Sequence, residues 1–226
     1  MRTGVVIVYS SIDDFLWGAL SARVQKFADE VIVVSRTHLF GGEPEPTVDM
    51  GVPSVLMGKS DGPGWKAVQE MRRAGLESLP PVDRVLFLDS DELPDQTITE
   101  HLDNPSPVYF AAEVYWREPW IRQVQNNEVA GLLCKPDEVV WNRRGEREAM
   151  TSKRIVRPRP DKPFMHHFAW CKPLDAMVKK VQNWGHSGDR GDWVAMVKEE
   201  WARPLPGNCF VHKGRLLEEC EQRIKI

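Results

Sequence analysis

The chain has 226 residues, 42% hydrophobic and 28% charged, ordinary usage for one α/β domain that buries a core without disulfide staples. Its 30 Lys and Arg against 33 Asp and Glu give a formal charge of −3, which excludes a general basic field for nucleic acid or anionic lipid. No stretch approaches the roughly 18 apolar residues that span a bilayer.

Residues 5–9 (VVIVY) form a continuous apolar, β-branched run, the pattern of a strand buried on both faces. Asp13 and Asp14 then offer an N-cap to a helix whose Phe15, Leu16, Ala19, Leu20 and Phe27 fall at helical spacing. Residues 31–34 (VIVV) read as a second buried strand. Strand, helix and strand within so short a span imply parallel pairing through a right-handed crossover. Residues 40–62 carry Gly, Pro and acidic residues and read as a loop with short extended pieces; 65–79 read as a helix turning Trp65, Val68, Met71 and Leu76 to the sheet. Residues 85–88 (VLFL) are a third buried strand, running directly into Asp89-Ser90-Asp91-Glu92.

Beyond that the pattern is mixed. Residues 108–115 and 164–170 read as strands, 117–162 as short strands and charged loops, and 172–184 and 192–201 as helices. The first of these helices has Leu174, Met177, Val178, Val181 and Trp184 on one face, and the charged tail from Lys213 reads as a surface helix. No repeat or linker interrupts the chain, which implies a single domain, 1–226. Its regular β-α half, 1–105, is expected to be the nucleotide-sugar-binding one and the mixed half, 106–226, the acceptor-side one. Cys134, Cys171, Cys209 and Cys220 make no C-x-x-C pair and no secretory leader is read at the start. Free thiols in a reducing, cytoplasmic compartment are therefore expected. Nine tryptophans serve as core, or in part (Trp116, Trp120, Trp141, Trp170) as flat platforms for a sugar or base.

In an open parallel sheet, ligands gather at the carboxyl ends of the strands. Asp89 and Asp91 sit at such an end, and residues two apart on extended chain point the same way. Adjacent carboxylates repel unless a cation sits near them, and hard oxygens suit Mg²⁺ or Mn²⁺, which would neutralise a departing diphosphate. A solvated acidic turn is the plainer alternative.

The run VDRVLFLDSDELPD (82–95) resembles the segment that carries the D-x-D motif in family 2 glycosyltransferases. ADEVIVVS (28–35) is similar to that family's second strand, and MHHFAWCKPLDAMVKKVQNWGHS (165–187) to a downstream strand-helix segment of its lipopolysaccharide-core-type members. The resemblance implies a GT-A-like fold: α/β, with a Rossmann-related, mostly parallel sheet flanked by helices. It implies transfer of a sugar from a UDP- or GDP-sugar, with inversion and with Mn²⁺ or Mg²⁺. Asp89 would then lie near the donor ribose and Asp91 would bind the metal. Candidate donor contacts are Tyr9, Ser10, Ser35, Arg36, Asp89 and Ser90. Where the family commonly has acidic residues after the second strand, this chain has Ser35-Arg36-Thr37, which leaves the nucleotide open.

His186, in the Gly-rich run GHSGDRGD (185–192), is the first candidate for a third metal ligand or diphosphate contact. His166 and His167 are adjacent on a strand, so only one can face the site. An inverting transferase needs a carboxylate to take the acceptor proton. Glu148 ranks first and Asp192 second, ahead of Glu113 and Glu146, although capping alone would explain Asp192. The acceptor is expected to be a glycan. A modified DNA base ranks behind it, supported by the Arg-rich stretch 153–162 and the spare tryptophans. Two rivals remain. A haloacid-dehalogenase-like phosphatase also uses D-x-D, but its motif follows the first strand rather than the third. The other is a non-catalytic nucleotide- or glycan-binding module.

Overall fold

A computed structural model describes residues 1–124, 129–141, 150–152, 164–184, 191–209 and 215–220. The elements run β1 (Thr3–Val8), α1 (Trp17–Val24), β2 (Glu30–Arg36), β3 (Ser54–Met57), α2 (Gly64–Ser78), β4 (Arg84–Asp89), β5 (Glu92–Pro94) and β6 (Val108–Trp116). They continue with β7 (Glu118–Gln123), β8 (Val129–Cys134), β9 (Val139–Trp141), β10 (Met150–Ser152), β11 (Met165–Trp170), α3 (Leu174–Asn183), α4 (Trp193–Trp201), β12 (Asn208–Cys209) and β13 (Arg215–Glu219).

The α/β class read from the sequence stands. One sheet runs β12-β13-β7-β6-β8-β4-β1-β2-β3, with β11 joined to β6 and β5. From β3 to β4 the pairing is parallel throughout, as two β-α-β crossovers require. Beyond β4 the neighbouring pairs become antiparallel, and only β11 on β6 returns to parallel. Strands β1 and β4 are buried on both faces because helices cover both. Val5, Ile7 and Val33 pack with Leu16, Leu20 and Val24 of the α1 side. Val6, Val8 and Val34 pack with Val68 and Met71 of α2. A third cluster joins Trp116, Trp170, Met177, Val181, Trp193 and Val197 under α3 and α4.

The α2 contact is closest at Gly75. A Cβ there would stand 2.4 Å from Cγ1 of Val6 and 2.9 Å from Cγ2 of Val34. Gly75→Ala is therefore expected to destabilise the protein by about 1–3 kcal/mol through overpacking, despite alanine's better helix propensity. A urea melt of the variant checks this, and equal or greater stability would refute it.

Several local expectations are corrected. In the tail, the described residues 215–219 are not helical but form β13, which adds to β7 with Leu217 buried and opposite Gln123. Asp13 does not cap the first helix. The N-cap of α1 is Leu16, with no side-chain bond, and Ser10 instead caps the 3-10 turn at Ser11–Leu16 that leads into α1, its side chain accepting from the Ile12 N–H. Trp116 and Trp170 are not platforms but buried partners, stacked 4.8 Å apart. Trp141 packs edge-on against Phe87, and Trp120 is exposed. Cys134 and Cys171 are free, with burial pushing both thiols up to about 12. Among the described residues no helix is long and apolar enough to cross a membrane.

Candidate functional site

The strand order places β1 between β2 and β4, and the chain passes from one side of β1 to the other through α2. Such a reversal opens a crevice at the carboxyl ends of the flanking strands. The Asp89-Ser90-Asp91 turn sits there. It is stapled to the end of β1: Ser90 N–H donates to Val8 O (2.9 Å), and Ser10 N–H to Ser90 Oγ (3.1 Å). The Asp89 N–H donates to Glu92 Oε2 at 3.0 Å. The Asp91 carbonyl accepts from Phe168 N–H of β11 at 2.8 Å. First-half motif and second-half strand thus hold one another.

Each motif carboxylate already meets a cationic side chain. Arg72, fully buried in α2, donates from Nη2 to Asp89 Oδ1 at 2.6 Å. Lys180 of α3 donates from Nζ to Asp91 Oδ2 at 2.7 Å and to Asp13 Oδ1 at 3.0 Å. Lys172 closes the group, its Nζ 2.5 Å from Asp13 Oδ1. His167 Nε2 lies 3.5 Å from Asp91 Oδ1. Burial alone would push the Asp91 carboxyl up, but Lys180 and then His167 outweigh it and hold the group well below the usual carboxylate range. Burial likewise would lower the Lys180 ammonium, and Asp13 and Asp91 reverse this, raising it. Lys172, less well compensated, is lowered by burial.

A further acidic residue joins the three aspartates. Glu45 is folded back from the loop after β2, its Oε1 accepting from Ser11 N–H at 2.5 Å, and burial pushes its carboxyl up. The loop that carries it approaches α3 so closely at Gly41 that a Cβ would stand 2.2 Å from Asn183 Oδ1. Tyr9 lies at the same edge, donating its hydroxyl to Asp14 Oδ1 at 2.5 Å, and burial with Asp14 raises its phenol.

The sequence-derived candidates divide as follows. Tyr9, Ser10, Asp89, Ser90 and Asp91 come together at this edge. Of the two adjacent histidines, His167 faces Asp91 and His166 faces the other way. Arg36 is buried, with Nη1 on Gly58 O and Nη2 on Ala67 O and Glu70 Oε2, so it ties β2 to α2 instead of offering its Nη donors to a phosphate. Ser35 is half-buried beside it, paired with Leu56 of β3. Asp192 is exposed and caps α4, Oδ1 accepting from Ala195 N–H at 2.9 Å. Glu146, Glu148, His186 and the Arg-rich stretch 153–162 lie outside the described residues. Sequence reasoning missed Asp13, Glu45, Arg72, Lys172 and Lys180 as members of the site. Two of them carried a signal: Lys180 falls three residues after Met177 and four before Trp184, and Arg72 four after Val68 and four before Leu76, each on the apolar face of its helix.

On the opposite face of β11, His166 bridges two acids. Its Nδ1 is 2.9 Å from Tyr115 Oη and 3.6 Å from Glu113 Oε2, and its Nε2 is 3.4 Å from Asp95 Oδ2. Tyr115 donates to Glu113 at 2.7 Å, and Arg122 pairs with both Glu113 and Glu218. Burial would raise the Glu113 carboxyl; His166, Tyr115 and Arg122 instead hold it down at about 2. Glu113 is thus committed to this network. A cavity of about 160 Å³ beside Asp95, lined also by Arg23, Lys26 and Gln96, is smaller than a ligand cleft of roughly 300 Å³ or more. It contains none of the motif groups.

No protein-family model matches the chain, and no curated protein matches it in sequence. It is similar in structure to S. aureus TarS, residues 1–349, at 12% identity and a TM-score of 0.45, covering 79% of this chain and 63% of that one. A complex of the same TarS segment with UDP-GlcNAc aligns at 13% identity and 0.42, covering 74% of this chain and 58% of that one. The chain therefore spans less than two thirds of the TarS segment. A putative nucleotide-diphospho-sugar transferase from Desulfovibrio desulfuricans G20 aligns at 10% identity and 0.42, over 89% of this chain and 96% of that one.

Proposed function

We propose that the chain is a glycosyltransferase of GT-A-like fold that moves a sugar from a UDP- or GDP-sugar to an acceptor hydroxyl, with inversion. The observation that carries this reading is the Asp89-Ser90-Asp91 turn, fixed at the carboxyl end of β4 beside the sheet's reversal point. The half 1–105 takes the donor and 106–226 the acceptor, a glycan in the first instance. Tyr9 and Ser10 at the end of β1, with Asp89 and Ser90, line the donor's approach.

In the transfer, the anomeric carbon–oxygen bond to the donor's diphosphate breaks and its electron pair leaves with the diphosphate. The acceptor oxygen forms the new bond to that carbon, and its proton passes to a carboxylate. Glu148 is proposed as this base and Asp192 as the second choice. The cap bond of Asp192 occupies Oδ1.

A thermal-shift screen of nucleoside diphosphates and nucleotide-sugars tests the reading, each run with excess Mn²⁺ and with EDTA. A ligand that binds the native state alone raises the melting temperature, by about 2.7 kcal/mol of stabilisation at a hundred times its dissociation constant. One nucleoside diphosphate is expected to give such a shift and name the base. The absence of any shift in either condition would overturn the reading.

A further inference from the structure

The resemblance to metal-using transferases calls for a divalent ion at Asp91, and the residues around Asp91 argue otherwise. An Mg²⁺ ion demands a near-octahedral set of oxygen ligands at about 2.0–2.1 Å, and Mn²⁺ is suited by the same carboxylate, carbonyl and water oxygens. Asp91 Oδ2 has the Lys180 ammonium at 2.7 Å, and Asp91 Oδ1 faces His167. The companion carboxylate, Asp89, holds Arg72 at 2.6 Å. Among the described residues no three His, Cys, Asp or Glu side chains gather as a ligand set.

Charge points the same way. Asp13 and Asp91 carry two negative charges, which Lys172 and Lys180 match with two positive ones, all four residues being buried. A divalent ion added here would leave four positive charges facing two negative ones in a site shielded from water. Displacing Lys180 would not relieve this. Its ammonium would remain beside Asp13, which Lys172 already neutralises, and an uncompensated buried charge is strongly disfavoured. An ammonium is also a compact point charge suited to sitting between two carboxylates.

We infer that Lys180 fills, at Asp91, the place that a divalent cation holds in a metal-using transferase, so that this chain binds its nucleotide donor without a metal. The inference rests on the nucleotide-sugar reading for the donor, but the occupancy of Asp91 does not. Lys180 acts as a positioning residue: it fixes the Asp91 carboxylate and supplies its counter-charge.

The test is an Mn²⁺ titration of the full chain, alone and with UDP or GDP, following loss of the free-ion electron paramagnetic resonance signal. The expected result is no ion held beyond what the nucleotide itself binds. Nucleotide affinity should then differ by less than about twofold between EDTA and excess Mn²⁺. One Mn²⁺ per chain that disappears in Asp91→Asn overturns the inference and leaves the transferase reading intact. An ion that survives Asp91→Asn lies elsewhere and leaves Lys180 in its place at Asp91, but if that ion also raises nucleotide affinity more than about twofold, the metal-free binding is overturned. If Asp91→Asn does not fold, Lys180→Gln serves: an ion at Asp91 binds more tightly once the ammonium is gone, and an ion elsewhere binds as before. If no nucleotide binds under any condition, the transferase reading fails, while the titration of the free chain still decides what occupies Asp91.

Discussion

Lys180→Met is expected to lower the stability of the protein by about 3–5 kcal/mol, the usual cost of removing one partner from a buried ion pair. The substitution roughly preserves side-chain volume and so leaves little cavity. What it removes is the ammonium that lies 2.7 Å from Asp91 and 3.0 Å from Asp13. Asp13 keeps Lys172, but Asp91 loses the stronger of its two close partners, His167 being at 3.5 Å. The double variant Lys180→Met with Asp91→Asn should recover part of the loss, because an amide is far cheaper to bury than an unpaired carboxylate. Urea denaturation of wild type, both single variants and the double variant gives the coupling directly. A loss below about 1 kcal/mol for Lys180→Met would mean that water or a rearranged side chain reaches Asp91, as at an exposed pair.

The second large effect is acid lability centred on Glu113. Its carboxyl is held down to about 2 in the folded chain against an ordinary 4.5. The group's folded value is depressed, so its contribution is fully present above the unfolded value. It is lost as pH falls from about 4.5 through about 2. A shift of this size corresponds to about 3 kcal/mol at neutral pH. Asp91 and Asp95 are shifted in the same direction and steepen the same limb. Glu113→Gln isolates the share of Glu113: the variant should be less stable at pH 7, and its stability should fall less between pH 5 and pH 3. Stability curves that run parallel for wild type and variant across that range would refute the assignment.

The sequence made the parallel βαβ core legible because its strands are simple. A run such as VVIVY has no polar residue to argue over, and β1, β2 and β4 appear within two residues of their expected limits. The place of the D-x-D turn followed from that alone. The partners of the turn did not, because they are long-range. Asp13 reads as a helix cap, since aspartate does favour caps, and only the fold brings α3 over it. Glu45 sits in a Pro- and Gly-containing loop with no periodicity to show which way it points. Arg36 looks like an exposed cation at a strand end. In the structure it passes beneath α2, where the carbonyls of Gly58 and Ala67 replace water. The last strand was misread because five residues are too few to separate a helical from an extended pattern.

The ion pairs at the motif also bear on how the chain comes to be made. Lys180 is 89 residues from Asp91 and 167 from Asp13 along the chain. During synthesis the first half emerges with both carboxylates in place and their counter-charges still inside the ribosome. The βαβ core can collapse at once on local contacts, but its carboxyl edge must stay wet until α3 arrives, because two unpaired anions resist burial. Closure of that edge is therefore a late event with a high loop-closure cost. A nascent chain stalled before residue 180 would hold a formed core with an open, acidic edge.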